Sequence, residues 1–192
     1  PTPMILYPSF HVMVAYRLSN PLWKMGLRFV ARWIMQIARW LTGIEIHPGA
    51  TIGCGFFVDH GSGVGIGETS VVGRNVTLYQ GVTLGGVLPA VDAEAQRSIK
   101  RHPTLEDDVI VGSGAQILGN ITVHAGARVG GNSVVTKDVP AGATVVGVPA
   151  RQLAAKPATQ SKITADAPFA AYGVSNPDDV DPRGRTIAAL VD

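Results

Sequence analysis

The sequence predicts an all-β solenoid, a parallel β-helix with a short helical segment in front and an irregular tail behind. Two observations predict it. Between Ile46 and Thr144 aliphatic residues return every six positions: Ile46, Ile52, Val58, Val64, Val76 and Val82, with Ser70 the polar exception. The series resumes with Leu105, Val111, Ile117, Val123, Val129 and Val135 and ends on the small Ala141. Three residues later in each unit stands a residue that tolerates positive φ. These are Gly49, Gly55, Gly61, Gly67, Gly73 and Gly85, with Tyr79 the exception, then Asp108, Gly114, Asn120, Gly126, Asn132 and Asp138. A short strand, a turn and an inward aliphatic residue thus recur together, and such units bury their apolar faces only by stacking.

The elements follow in order. Residues 1–43 form the helical segment, with a shorter helix over 7–19 and a second over 21–42. Pro21 suits the first turn of the second helix and Gly43 its C-terminal cap. Lys24, Arg28, Arg32 and Arg39 interrupt its apolar residues, so it does not span a membrane. A basic amphipathic helix can lie on a membrane surface; the reading preferred here is that it covers the open end of the solenoid and buries Trp33 and Trp40. Residues 44–150 form the β-helix itself, in four to five coils. The spacing from Val82 to Leu105 is 23, one short of a multiple of six, so residues 86–102 form a loop thrown out from it. Loops on rigid scaffolds commonly carry function. Residues 151–192 form the tail, rich in Ala, Pro, Asp and Thr from Ala154 onward and docking through Phe169, Ala171 and Tyr172.

Composition narrows the function. At 192 residues and 46% hydrophobic, the chain has enough apolar material for one core. A net charge of +2 gives no argument for nucleic acid. The lone Cys54 makes no internal disulfide, pointing to a reducing, cytoplasmic compartment; inside its hexad it reads as a packed small residue. No signal peptide is visible, and a chain beginning Pro-Thr-Pro reads as a processed or trimmed form.

Among the five histidines, two stand out. His60 follows Asp59 in Val-Asp-His-Gly-Ser-Gly, inside the repeat. His102 lies in Lys-Arg-His-Pro, where the loop rejoins the scaffold. Glu45 precedes His60 by fifteen residues, nearly one coil, within reach of its ring. A carboxylate on one imidazole nitrogen leaves the other as a base, suited to deprotonating a hydroxyl. His47 and His124 read as structural hydrogen-bonding residues.

Taken together, Gly43-Ile-Glu-Ile-His-Pro-Gly-Ala-Thr-Ile-Gly, Val58-Asp-His-Gly-Ser-Gly-Val-Gly-Ile-Gly-Glu-Thr, Gly81-Val-Thr-Leu-Gly-Gly, Arg101-His-Pro-Thr-Leu and Gly147-Val-Pro-Ala-Arg closely resemble serine O-acetyltransferase, a hexapeptide-repeat acyltransferase. The match runs from about Tyr7 to Arg151. The resemblance implies a left-handed prism with three hexads per coil and sites between subunits. It implies acetyl transfer from acetyl-CoA to the hydroxyl of L-serine, giving O-acetylserine for cysteine synthesis, with cysteine as feedback inhibitor and no metal. By the same resemblance His60 is the general base and Glu45 its orienting carboxylate. Asp59, Arg101 and His102 hold serine and assist the base. Gly86, Ser113 and Gly131 line the CoA channel.

Glu45 replaces the more usual Asp, and the loop over 87–100 is longer than in the enterobacterial type. The family's large N-terminal helical region, which pairs two trimers, lies upstream of this chain's first residue, so a homotrimer is expected. The chain ends Leu190-Val191-Asp192 and not on the Ile that enters O-acetylserine sulfhydrylase, so that partnership is not expected. Competing readings are an acyltransferase for another hydroxylated acceptor, a zinc carbonic anhydrase, which needs three converging imidazoles, and a non-catalytic scaffold.

Overall fold

A computed structural model of the chain describes residues 4–87 and 99–153, all within one compact unit, Pro1–Ala155. After a 3-10 turn at Met4–Leu6 come α1 (Pro8–Lys24) and α2 (Arg28–Thr42). The expected boundary at Pro21 is absent: α1 runs through it and the break falls at Gly26, whose φ of 86° ends the helix. Gly43, at φ 71°, caps α2 by donating its N–H to the Arg39 carbonyl, as expected.

The helices dock differently from the expectation. It is α1 that ties onto the first coil. The Tyr16 hydroxyl donates to the Ala50 carbonyl, Arg17 to the carbonyls of Ile52 and Gly53, and Asn20 to that of Pro48. On α2 the buried residues are Ala31, Met35 and Ala38, spaced i, i+4, i+7 along one face of the helix. Trp33 and Trp40 lie on the other stripe, 60% and 84% exposed, which overturns their expected burial. No helix among the described residues is long and apolar enough to cross a membrane.

Among the described residues are fifteen strands of two or three residues, β1–β15 in chain order, of which the first fourteen build a left-handed parallel β-helix with three faces. The first face stacks β1 (Glu45–Ile46), β4 (Gly65–Ile66), β7 (Thr83–Gly85), β10 (Gln116–Leu118) and β13 (Val134–Val135). The second stacks β2 (Thr51–Ile52), β5 (Val71–Val72), β8 (Thr104–Leu105) and β11 (Thr122–Val123). The third stacks β3 (Phe57–Val58), β6 (Thr77–Leu78), β9 (Ile110–Val111), β12 (Arg128–Val129) and β14 (Thr144–Val146). Here β15 (Arg151–Gln152) pairs antiparallel with β14, so the expected tail begins as strand; its remainder from residue 154 lies outside the described residues.

Most hexads bury two residues, not one: Ile44 and Ile46, Ala50 and Ile52, Phe56 and Val58, and so upward to Ala143 and Val145, with Ile121 only partly buried. Each large aliphatic so buried contributes about 1.5–3 kcal/mol. This doubling hides a register shift. Ile46 stacks on Ile66, Ile52 on Val72 and Val58 on Leu78, twenty residues apart, where eighteen was expected. Two extra residues sit in the corner at 59–63. The expected track through Val64, Ser70, Val76 and Val82 is therefore the second inward position and not the strand position. At the far end Val139 bridges to Val123, and the expected inward Ala141 is exposed.

The turn slots shift in step. Positive φ occurs at Gly55, Gly61, Asp108, Gly114, Gly126 and Asn132 as expected, but also at His60, Gly63, Asn75 and Gly81. Gly49, Gly67, Gly73, Gly85, Asn120 and Asp138 lack it. Where glycine stands there, stacking supplies the reason: a Cβ on Gly73 would meet the Asp107 backbone nitrogen at 2.8 Å. Cys54, read as packed, is exposed on the corner beside Gly55.

Ser70 fills the inward track with a hydroxyl that is buried and has no hydrogen-bond partner among the described residues. An unmade buried hydrogen bond costs about 1–3 kcal/mol. Ser70→Ala is expected to raise the urea midpoint at unchanged m-value; a lower midpoint means the hydroxyl is satisfied in solution.

Candidate active site

The first face carries a shallow recess of about 260 Å³, bordered by Glu45, His47, Gly67, Thr83 and His102. His102 enters it from the foot of the loop, whose residues 88–98 lie outside the described ones. Its ring lies flat against Gly67: a Cβ there would stand 2.1 Å from Cδ2 and Nε2. Nδ1 accepts the Thr69 backbone N–H at 3.2 Å and lies 2.9 Å from Thr69 Oγ1. The same oxygen accepts the backbone N–H groups of Arg101 and His102 at 3.1 and 3.2 Å. Lys100 Nζ donates to the His102 carbonyl. Arg101 Nη2 reaches Glu68 Oε2 at 3.1 Å, both side chains half-buried.

Burial, with the cations Arg101 and Lys100 adding to it, pushes the His102 pKa down to about 4. His47 is pushed down to about 4 as well, chiefly by burial and against the pull of Glu68. Its Nδ1 accepts the Gly49 N–H at 3.0 Å, and its ring stands edge-on to Trp23 with centroids 4.7 Å apart.

His60 sits on the corner between the third and first faces, at the two-residue expansion. Its φ of 61° is left-handed, a region that His tolerates better than most residues. The ring is 71% exposed and stands 3.9 Å from Asp59 Oδ1, beyond hydrogen-bonding distance. Glu45 does not meet it: Glu45 pairs with Arg39 at 3.2 Å, and no hydrogen bond joins Glu45 to His60 among the described residues. Ser113 and Gly131 lie on the same corner, two and three coils further on, in a ladder where the Gly81 N–H donates to Ser62, Gly114 to Gln80 and Asn132 to Ser113. Gly86 lies beside the Arg101 backbone.

The expected site residues therefore divide. Glu45, Arg101, His102 and Gly86 gather on or beside the first face, whereas Asp59, His60, Ser113 and Gly131 follow one corner. The chain enters the first face at the His60 corner and leaves it near His102. Sequence reasoning missed His47, which borders the recess, and Glu68 and Thr69, which hold Arg101 and His102. The Gly67-Glu68-Thr69 run was the signal. His124, read as structural, bonds Glu106 at 3.1 Å. Among the described residues no group of three His, Cys, Asp or Glu side chains is placed to hold a metal ion.

Gly67→Ala forces the His102 ring or the backbone to move, so a loss of about 1–3 kcal/mol is expected in urea unfolding; an unchanged midpoint means the ring is not packed there. The two imidazoles set a pH dependence. The folded chain leaves them neutral down to about 4, whereas their ordinary pKa is 6.5. The unfolded chain thus binds more protons in that interval, and stability falls as pH drops from about 6.5 to about 4, then levels. Thermal midpoints across this window check it; a pH-independent midpoint there refutes the burial of both rings.

Known proteins place the chain. The family model "Bacterial transferase hexapeptide (six repeats)" matches residues 102–137. The chain is 52% identical over 148 residues to a serine acetyltransferase of Bacillus licheniformis, covering 77% of this chain and 65% of that one. It is 49% identical over 150 residues to a serine acetyltransferase of Helicobacter pylori, covering 78% and 84%. Among solved structures, a serine acetyltransferase in complex with cysteine superposes with TM-score 0.74 at 40% identity, over 80% of this chain and 61% of that one. The soybean enzyme complexed with serine gives 0.72 at 40%, over 77% and 58%. A complex with CoA gives 0.70 at 38%, over 79% and 60%. The chain thus spans about two thirds of the length of the Bacillus relative and most of the Helicobacter one. With about half of the residues identical over more than three quarters of its length, the chain belongs to the serine acetyltransferase family.

Proposed function

We propose that this chain transfers the acetyl group of acetyl-CoA to the hydroxyl of L-serine, giving O-acetylserine and CoA for cysteine biosynthesis. The observation that carries the reading is the placing of His60 and His102 at opposite edges of one face. A site needing both is completed when a second copy sets its His102 edge against the first copy's His60 corner, which supports a homotrimer with sites between subunits. The exposed His60 ring is free to reach a substrate there. Solved relatives holding serine, cysteine and CoA support the same substrates and cysteine as a competing inhibitor.

His60 removes the serine hydroxyl proton as the oxygen attacks the thioester carbonyl, and the C–O bond forms while the carbonyl π-electrons move onto oxygen. The tetrahedral oxyanion collapses, the C–S bond breaks, and the leaving thiolate takes the proton back from the imidazolium. Glu45, turned from Arg39, orients the His60 ring, and Asp59 and Arg101, the latter held by Glu68, bind the two charged ends of serine. Gly86, Ser113 and Gly131 present backbone along the channel for CoA. No step needs a metal. A cytoplasmic location accords with the single, exposed Cys54.

CoA release from acetyl-CoA is expected with L-serine, suppressed by cysteine, and not with other hydroxylated amino acids or sugars. His60→Ala is expected to lower kcat about a hundredfold or more. Release with a different acceptor overturns serine, and unchanged kcat in the variant removes His60 from the mechanism.

A further inference from the structure

We propose that Thr69 is a positioning residue that holds His102 as the Nε2–H tautomer, so that the ring meets the amino-acid substrate as a hydrogen-bond donor and not as a second base. The proposal rests on the reading of the site given above and deepens it.

The argument is one of satisfied donors and acceptors. A threonine hydroxyl has one proton to give and two lone pairs to receive. Both lone pairs of Thr69 Oγ1 are taken, by the backbone N–H groups of Arg101 and His102 at 3.1 and 3.2 Å. Its proton is left for the one remaining neighbour, His102 Nδ1 at 2.9 Å. The Thr69 backbone N–H donates to the same nitrogen at 3.2 Å. Nδ1 therefore accepts, its one lone pair shared between the two donors, and carries no proton, and the proton of the neutral ring stands on Nε2. The ring's charged neighbours are Arg101, Lys100 and Glu68; burial and the two cations keep it neutral.

The Nε2 edge lies on Gly67, at the border of the recess that Glu45 and His47 share. A nitrogen already protonated there does not take a proton from the serine hydroxyl, which leaves that role to His60 alone. It donates instead to the serine carboxylate, the acceptor group an amino acid brings. Because Thr69 also fixes the backbone of Arg101 and His102, one hydroxyl sets the ring's tautomer, its plane and the path of the loop's foot. Donation to the carboxylate is present before and during reaction alike, so its loss raises KM for serine more than it lowers kcat.

The test combines spectra and kinetics on the full chain. Protein labelled with 15N-histidine gives long-range imidazole spectra near neutral pH, with His102 identified by its loss in His102→Gln. The wild type is expected to show a bare, hydrogen-bonded Nδ1 and a protonated Nε2. Thr69→Val is expected to mix the tautomers and raise KM for serine about tenfold or more, with kcat nearly kept. Thr69→Ser is expected to restore both. A wild-type ring protonated on Nδ1 overturns the proposal, as does Thr69→Val with spectrum and KM unchanged. A loss confined to kcat overturns the donor role. If the wild type acetylates no serine, the functional reading fails, and the spectra decide by themselves whether Thr69 sets the tautomer.

Discussion

Every coil of this protein borrows its backbone partners from the coils above and below. The strands have two or three residues, too short to stand as a sheet alone, and their N–H groups and carbonyls find partners only along the stack. The inward residues, a pair in most hexads, then fill the space that the three faces enclose. Hydrogen bonding holds adjacent coils at strand spacing and burial holds the faces together, so neither a strand nor a corner moves without its neighbours. The same spacing explains many glycines: on the corners the next coil's backbone occupies the place of a Cβ.

That rigidity also decides where chemistry is placed. Faces packed on the core offer little relief, so the residues with reactive groups hang from corners and from the foot of the loop. His60 projects because its corner holds two more residues than the repeat requires and turns through three left-handed residues, His60 and Gly61 in succession and then Gly63. His102 is the opposite case. It is folded back, laid on Gly67, and locked by Thr69. One imidazole is exposed and the other is held, and the difference follows from the local backbone and not from residue type.

The helices show how far one sequence pattern can serve two interpretations. Both stripes of α2 are apolar. The stripe with Ala31, Met35 and Ala38 packs inward, and the bulky Phe29, Trp33 and Trp40 face out. Arg39, on the same helix, reaches Glu45 at the mouth of the first face and ties the helical segment to the site.

The repeat of aliphatic and turn-forming residues determined the solenoid by itself, because a six-residue period is a property of the chain. Gly43, which caps α2 at φ 71°, was legible for the same reason: it ends a local pattern. The register was not. Val64 and Ile66 are both aliphatic and both buried, so a slip of two residues leaves the pattern intact, and only pairing with the previous coil reveals it. Nor was the grouping of the site legible. Thr69 lies 33 residues from His102 in the chain, and Glu68 as far from Arg101; stacking makes them neighbours. Glu45 looked close to His60 by spacing, yet its carboxylate turned to Arg39, because the nearest charge in space is set by how the helices dock and not by counting along the chain.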